Sequence, residues 1–361
     1  MSEEEQPWDD VADQIGGRFV GKGVYGCVFE PAPRCKDGRV IRAAGGLPMV
    51  GKIASDDITD ELAAGKKIMA LPRAAEYFAA PYESCEPALP ILDPDTDKCP
   101  FLVHPEPGQK LSLLLMPLGG MRIDQWARKG RDQGRMALHF ERILIHLLEG
   151  IAMYQSTGLI HNDIHPGNIL VSDTGVGRII DFGLSFNLTT VRTWADGKQS
   201  RRFRPSIIMQ PPETFVWQML TNGVSVKNGY KEMLTKFSAD YMAMEQFKQE
   251  GFVYEMEEFV RASDDFRTLD GGVFARRYAK KWDTWRLGLV MWFEWNEIVR
   301  RPDVLRRPEV AAKFWNRRDI LRAALRGLTR FDPRKRWSAP RALFELAPTS
   351  PWARAPLGHV T

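Results

Sequence analysis

The sequence predicts an α+β fold in which strands come first and helices follow. Apolar runs next to Gly or Pro indicate strands at 18–20, 27–29, 49–53 and 110–116. From residue 136 onward, apolar residues recur every three or four positions, which indicates helices. The chain therefore divides into a strand-rich N-terminal part and a mainly helical C-terminal part.

Composition is that of an ordinary globular protein. The chain has 361 residues, 44% hydrophobic and 27% charged, with a net charge of +4, so nucleic-acid binding is not expected. No run of 18 apolar residues occurs, which predicts no membrane span. Residues 1–17 are predicted to be a flexible acidic leader. Because this leader lacks the apolar stretch of a secretory signal, we expect an intracellular location.

The four cysteines are Cys27, Cys35, Cys85 and Cys99. Since an intracellular setting is reducing, we expect free thiols, with a Cys85–Cys99 disulfide as the alternative. Zinc binding by Cys35, Cys85 and Cys99 is disfavoured, because no Cys-x-x-Cys pair is present.

Two motifs near the middle of the chain carry the functional prediction. The first runs from His161 to Asn168, and the second is Asp181-Phe182-Gly183. They resemble the catalytic loop and the Asp-Phe-Gly metal motif of protein kinases. Phosphoryl transfer needs a carboxylate that accepts the hydroxyl proton, and it needs a second carboxylate and an amide oxygen that hold the metal. The resemblance assigns these roles to Asp163, Asp181 and Asn168.

The resemblance covers residues 18–346, where six motifs follow the family's order. It implies a bilobal protein-kinase-like fold with an N-lobe at 18–118, a C-lobe at 119–346 and ATP between them. A helical insertion at about 221–281 and a tail at 347–361 complete the predicted organisation. The implied cofactors are ATP and Mg²⁺, with Mn²⁺ as an alternative metal, and the implied substrate is a protein with Ser or Thr. The sequence does not indicate an oligomeric state.

The segment after residue 20 follows the pattern G-x-G-x-x-G-x-V. In dinucleotide-binding folds the third Gly opens a helix, whereas Phe29, Pro31 and Pro33 favour a hairpin here. Glycines let backbone amides approach phosphate oxygens. The resulting candidates for nucleotide binding are Gly21, Lys22, Gly23, Val24, Gly26 and Val28.

Lys52, on the predicted strand 49–53, matches the family's lysine that holds the ATP phosphates. A helix is predicted from Ile58 to about Leu71. Glu61 in this helix is the candidate partner of Lys52, with Asp60 and Glu76 as alternatives.

The strand at 110–116 and the Pro117-Leu118-Gly119-Gly120 break resemble the hinge that binds adenine. Leu118 is a candidate adenine contact, and Leu115 or Met116 is expected at the back of the adenine pocket. Asp124 is either a ribose contact or a helix cap.

Further motifs extend the resemblance toward the C-terminus. Residues 184–210 occupy the activation-segment position, which Pro211-Pro212-Glu213 closes. Asp283-Thr284-Trp285 matches a helix start of the family, and Arg336 is expected to pair with Glu213.

The catalytic loop departs from the family at two positions. Asn162 replaces an Arg that receives the phosphate of the activation segment, so activation by segment phosphorylation is less expected. His165, also a catalytic candidate, replaces a Lys and is neutral for much of the time near pH 7. The loop form, Pro211-Pro212-Glu213 and the helical insertion together resemble serine/threonine kinases of large nucleocytoplasmic DNA viruses, which implies the host cytoplasm or packaging in a virion.

Two other functions stay open from the sequence. His165-Pro166-Gly167 is also typical of small-molecule phosphotransferases of the aminoglycoside type, which Glu213, Trp285 and Arg336 oppose. A catalytically inactive scaffold is the other alternative. It is opposed by the presence of all four core catalytic residues of the family, Lys52, Asp163, Asn168 and Asp181.

Overall fold

The computed structural model describes residues 17–22, 26–39, 49–55, 58–89, 91, 96–103, 110–128, 134–191, 209–223, 251–268 and 270–353. The chain forms two compact units, Met1–Leu118 and Gly119–Thr361. The predicted leader, except Gly17, lies outside the described residues, as do 224–250 of the predicted insertion and 354–361 of the predicted tail. In the part of the chain that is described, no helix has the length and apolar character needed to cross a bilayer.

The N-terminal unit is built on one antiparallel sheet. Its strands are β1 (Arg18–Lys22), β2 (Gly26–Glu30), β3 (Met49–Ala54), β4 (Glu83–Cys85) and β5 (Ser112–Pro117), in the order β1-β2-β3-β5-β4. Its helices are α1 (Thr59–Met69), α2 (Ala74–Tyr77) and α3 (Pro100–Val103), with a 3₁₀ turn at Thr96–Lys98. The helix predicted from 58 to 71 is therefore α1, slightly shorter at both ends.

Alternation along the strands sorts the side chains of this sheet into two apolar clusters. The cluster on one face contains Val50, Leu114 and Met116, with Ile58 and Leu62 of the α1 region packed against it. The cluster on the opposite face is made by Cys27, Phe29, Cys35, Ile53, Ile91, Cys99, Leu113 and Leu115.

The prediction of free cysteines is wrong. Cys27 is bonded to Cys99 and Cys35 to Cys85, and no described cysteine is free. The alternative Cys85–Cys99 bridge and the three-cysteine zinc set are therefore wrong as well. The physical reason is tertiary: the fold brings the Cα atoms of the two pairs to 5.9 and 5.7 Å, within the range that a disulfide spans. These Cα distances cannot be derived from the spacing of the cysteines along the sequence.

The C-terminal unit is mainly helical. Its two small sheets contain β6 (Met121–Arg122), β8 (Ile169–Val171) and β9 (Gly177–Ile179), and β7 (Leu159–Ile160) with β10 (Phe186–Asn187). Its described helices are α4 (Ile123–Arg128), α5 (Gly134–Ser156), α6 (Pro212–Thr221), α7 (Gly251–Ala262), α8 (Asp265–Thr268), α9 (Gly271–Tyr278), α10 (Trp282–Val299), α11 (Pro302–Leu305), α12 (Pro308–Lys313), α13 (Arg318–Leu328) and α14 (Ala339–Leu346). Short 3₁₀ turns lie at Pro166–Asn168, Ala279–Lys281 and Trp315–Arg317.

Helix α5 is the centre of this unit. Phe140, Ile143, Leu147 and Ile151 recur at helical spacing and are fully or almost fully buried. The helix packs against α10 and α14. It stops shortly before Gly158, whose φ of 79° is the left-handed conformation that ends many helices. The chain then enters β7, directly before the segment that carries the predicted catalytic residues. The predicted α+β class is confirmed.

Candidate active site

The loop between β7 and β8 brings Asp163 and Asn168 together. The Nδ2 atom of Asn168 donates to the backbone oxygen of Asp163 at 2.9 Å and to its Oδ2 atom at 3.1 Å. Both hydrogen bonds use the amide nitrogen, so the amide oxygen of Asn168 keeps its capacity to bind a cation. Burial raises the pKa of Asp163, while His161 and Arg286 act in the opposite direction.

His161 ties this loop to the Asp-Phe-Gly motif. Its Nδ1 atom accepts from the backbone N–H of Asp163 at 3.2 Å, so the ring proton lies on Nε2 and is donated to Ile180 O at 2.9 Å. Burial lowers the pKa of His161, which favours this neutral form. The His161 ring also contacts the ring of Phe182, with centroids 4.7 Å apart.

Asp181 adopts a left-handed backbone conformation with φ of 60°, which is uncommon for a residue with a side chain. Its Oδ1 atom accepts from the backbone N–H of Gly183 at 3.3 Å. The preceding residue, Ile180, donates its N–H to the backbone oxygen of Asn168 at 3.1 Å. The two predicted metal ligands, Asn168 and Asp181, therefore lie on segments that are hydrogen-bonded to each other.

These two residues fit a magnesium ion. Mg²⁺ prefers oxygen ligands and is commonly held by one or two carboxylates together with substrate phosphates. Asp181 supplies a carboxylate and Asn168 an amide oxygen. Among the described residues no cluster of three His, Cys, Asp or Glu could hold a metal.

His165 faces the carboxylate of Asp163. Its Nδ1 atom accepts from the backbone N–H of Gly167 at 3.1 Å, so the proton of the neutral ring lies on Nε2. This Nε2 atom is 3.7 Å from Oδ2 of Asp163. Burial lowers the pKa of His165, so the ring stays neutral near pH 7.

Asp283, at the start of α10, supports the loop from the protein interior. Its carboxylate accepts from the hydroxyl of Tyr154 at 2.8 Å and from the backbone N–H groups of His161 and Asn162 at 3.0 and 2.9 Å. Asp283 is fully buried. Sequence reasoning identified Asp283 as a motif residue but missed Tyr154, which reads only as an apolar position of α5.

Arg336 and Glu213 form the pair that was expected. Nη1 and Nη2 of Arg336 donate to the two carboxylate oxygens of Glu213 at 2.7 and 2.8 Å, and both side chains are fully buried. The guanidinium also lies over the ring of Trp285, 4.8 Å from its centroid. This pair fixes the beginning of α6, where the activation-segment position ends.

In the N-terminal unit, Lys52 and Glu61 form an ion pair. Nζ of Lys52 lies 2.9 and 3.0 Å from the carboxylate oxygens of Glu61, and the two side chains are 14% and 13% exposed. The alternative partner Glu76 instead binds Arg73, and the alternative Asp60 is exposed on α1. The geometry thus separates the candidates that the sequence left open.

The glycine-rich hairpin is described on both of its strands. Gly21 and Lys22 lie on β1, Gly26 and Val28 lie on β2, and Gly23 and Val24 lie outside the described residues. A Cβ atom on Gly26 would collide with the backbone oxygen of Ile53, so packing requires this glycine. A Cβ atom on Gly21 would meet no described atom within 4 Å. Packing among the described residues therefore explains Gly26 but does not explain Gly21.

The candidate adenine contacts fall on one face of the sheet. Val28 and Leu118 pack against the cluster that contains Met116, whereas Leu115 belongs to the opposite cluster. Of the two residues expected at the back of the pocket, Met116 shares this face with Val28 and Leu118, and the adenine contact itself stays a prediction.

Asp124 lies in the first turn of α4, one residue inside the helix, so it is not the helix cap. Its carboxylate accepts from the guanidinium of Arg122 at 3.1 and 2.9 Å. Its role as a ribose contact stays a prediction.

Residues 109–226 match the family model of the protein kinase domain. This stretch contains the catalytic loop, the Asp-Phe-Gly motif and Glu213. The fold is the protein-kinase fold.

Known kinases align with short parts of the chain. Serine/threonine-protein kinase stk11 of Xenopus laevis is 32% identical over 85 residues, which are 24% of this chain and 18% of the relative. Serine/threonine-protein kinase mos of Nycticorax nycticorax is 36% identical over 72 residues, 18% of this chain and 36% of the relative. A probable cAMP-dependent protein kinase catalytic subunit of Encephalitozoon cuniculi is 34% identical over 79 residues, 22% of this chain and 24% of the relative. The chain thus spans well under half of each relative's length.

Proposed function

We propose that the chain is a protein kinase that transfers the γ-phosphate of ATP to Ser or Thr hydroxyls of protein substrates, with Mg²⁺ as the metal. The observation that carries this proposal is the arrangement of Asp163, Asn168 and Asp181, in which one amide group orients the candidate base and leaves its oxygen for a metal. The similarity to relatives named as serine/threonine kinases supports the choice of Ser and Thr.

Each residue then has a defined task. Asp163 accepts the proton of the attacking hydroxyl, and Asn168 holds its carboxylate in place through the bond to Oδ2. Lys52 binds the phosphates of ATP, and Glu61 orients Lys52. Bound Mg²⁺ would neutralise phosphate charge and would be held by Asn168 and Asp181. Most of the rate gain comes from positioning and charge stabilisation.

Nucleotide contacts complete the proposal. The hairpin residues Gly21, Lys22 and Gly26 would contact phosphate oxygens, and Val28, Met116 and Leu118 would contact the adenine ring. The place of Gly21 and Lys22 on β1 and of Gly26 on β2 supports the first assignment, because glycines let backbone amides approach phosphate oxygens. The shared apolar cluster supports the second, because a flat apolar surface suits an aromatic base.

A small-molecule phosphotransferase is the second candidate. The observation in its favour is the approach of the neutral His165 ring to Asp163, which a protein kinase loop with Lys at this position would lack. The buried pair of Arg336 and Glu213 opposes it, since this pair fixes the end of the activation-segment position.

Location and origin stay predictions. Disulfides persist in oxidising compartments and at virion surfaces, and they are rare in the cytosol. The bridges Cys27–Cys99 and Cys35–Cys85 argue against the reducing host cytoplasm. If the resemblance to viral enzymes holds, we favour packaging in a virion. Alkylation of purified chain before and after reduction would show whether the thiols are blocked.

The test of the proposed function is transfer of labelled phosphate from ATP with Mg²⁺ to casein or to a basic protein. We expect label on Ser or Thr with the wild-type chain and none with Asp163→Asn. Asp173→Asn is the matched control, because this exposed aspartate has the same side chain and pairs with Arg135. Asp163-dependent transfer to small hydroxyl compounds, without transfer to protein, would overturn the proposal in favour of the second candidate.

A further inference from the structure

Asn162 stands where the resembled family has the arginine of its catalytic loop. The backbone of Asn162 is left-handed, with φ of 64°. Asn is among the side chains that tolerate this conformation best, so the replacement removes a charge from the loop at little conformational cost. The Oδ1 atom of Asn162 accepts from Nη2 of Arg286 at 3.1 Å. A guanidinium therefore reaches this point of the loop from another element.

Arg286 lies on α10 and is buried, with 3% of its surface exposed. Its Nη1 atom is 3.7 Å from Oδ1 of Asp283 and makes no hydrogen bond among the described residues. Burial lowers the pKa of Arg286, but an arginine retains its charge in proteins. The chain thus keeps a full charge in its interior directly under the catalytic loop.

Hydrogen bonding to Asp283 does not account for the position of this charge. The carboxylate of Asp283 already accepts from Tyr154, from His161 N and from Asn162 N. Three donors therefore satisfy this carboxylate without a hydrogen bond from Arg286. Among the described residues, the side-chain hydrogen bond that Arg286 makes goes to Asn162, one residue before Asp163.

We propose that Arg286 is a positioning residue of the catalytic loop and that it replaces, from helix α10, the missing loop arginine. Because its guanidinium is buried and engaged with Asn162 and Asp283, it does not serve as a phosphate receptor. The loop is therefore held in its working geometry without phosphate on residues 184–210. This inference rests on the proposed kinase function and adds its regulation.

The experiment compares kcat and KM of the wild-type chain with three variants, before and after phosphatase treatment. Arg286→Met keeps the bulk and removes the charge, Arg286→Lys keeps the charge, and Asn162→Gly removes the acceptor while allowing the left-handed backbone. Arg277→Met is the matched control, since Arg277 also pairs with a buried aspartate of the same unit, Asp265, at 2.7 Å. Thermal unfolding of each variant is measured in parallel.

We expect phosphatase to leave the wild-type kcat unchanged. Arg286→Met should lower kcat by about 100-fold and leave KM for ATP unchanged. The reason is that a displacement of the catalytic loop by about 1 Å can cost about this factor in rate. Arg286→Lys should recover part of this loss, and Asn162→Gly should lose less than Arg286→Met. Arg277→Met should melt at a lower temperature with an unchanged kcat.

Two results would overturn the inference. One is a kcat of Arg286→Met that matches the Arg277→Met control at comparable thermal stability. The other is a large loss of wild-type kcat on phosphatase treatment. A wild-type chain without any Asp163-dependent transfer would instead refute the proposed function, and the inference would fall with it.

Discussion

The two units of the chain are stabilised by different means. The N-terminal unit contains all four cysteines, and its small sheet is cross-linked by two disulfides. The C-terminal unit has no cysteine and instead buries charged side chains among large aromatic residues. A small sheet buries a limited apolar surface, so covalent links contribute much of its stability. The larger helical unit has enough core to hold buried ion pairs.

The two units also differ in where their stabilising residues lie relative to the predicted functional residues. In the N-terminal unit, the bonded cysteines Cys27, Cys35 and Cys99 lie in the cluster opposite Val50 and Met116. The disulfides therefore act on the face away from the predicted adenine contacts. In the C-terminal unit, Asp283 stabilises both the packing of α5 and the catalytic loop. There one buried carboxylate, that of Asp283, stabilises the fold and also positions the backbone of the candidate site.

The largest effect is expected from breaking the buried pair in the C-terminal unit. Glu213→Ala leaves the Arg336 guanidinium buried without its partner, which should destabilise the unit by about 3–5 kcal/mol. Denaturant unfolding followed by tryptophan fluorescence measures this change. Arg341→Ala, which breaks the surface pair with Glu345, is the control and should cost about 0–1 kcal/mol. Equal losses in the two variants would refute the contrast between buried and surface charges.

The second effect concerns the N-terminal unit. Replacement of Cys27 and Cys99 by Ala opens a link between residues 72 positions apart and should cost about 2–4 kcal/mol. A reducing agent opens both bridges of the wild-type chain, so it should produce a larger loss. Because the C-terminal unit has no cysteine, hydrogen exchange should show the loss in the N-terminal unit alone. Faster exchange in α5 on reduction would contradict the proposed division.

The third effect concerns a buried carboxyl group in the C-terminal unit. Glu294 on α10 is buried, and burial raises its pKa from 4.5 to about 7. Its folded-state pKa lies above the unfolded one, so stability is lost as the pH rises from about 4.5 through about 7. Glu294→Gln removes this loss and should stabilise the chain at pH 8 by about 3 kcal/mol.

At pH 4 the same variant should be as stable as the wild-type chain. Melting temperatures of both proteins across this pH range measure the difference. A constant difference at every pH would show that the pKa of Glu294 is the same in the folded and the unfolded chain, and the predicted linkage would be absent.

Much of the fold and of the site follows from local sequence. The glycine pattern with Phe29 and the prolines after it predicted the hairpin, helical spacing predicted α5, and the two central motifs identified Asp163, Asn168 and Asp181 as candidate site residues. The resemblance suggested the pairing of Lys52 with Glu61, and the contact in the structure agrees with it.

Contacts between distant parts of the chain could not be derived in this way. Tyr154 and Asp283 are 129 positions apart, and Asn162 and Arg286 are 124 apart. Neither contact has a local signal, because each depends on how α10 packs against α5 and the loop. The disulfide pairs could not be predicted for the same reason. The assumption of a reducing setting led to the wrong expectation of free thiols.

The measurement that tests the central claim most directly is the metal dependence of phosphate transfer to protein. It compares the wild-type chain with Asp181→Asn, and mass spectrometry of the substrate detects the transferred phosphate. If Asp181 holds the metal that accompanies ATP, the wild-type chain should phosphorylate Ser or Thr as Mg²⁺ is added. Asp181→Asn should then show no transfer at any Mg²⁺ concentration, although it remains folded. Transfer by Asp181→Asn at the wild-type rate, or transfer by the wild-type chain without a divalent metal, would contradict the account.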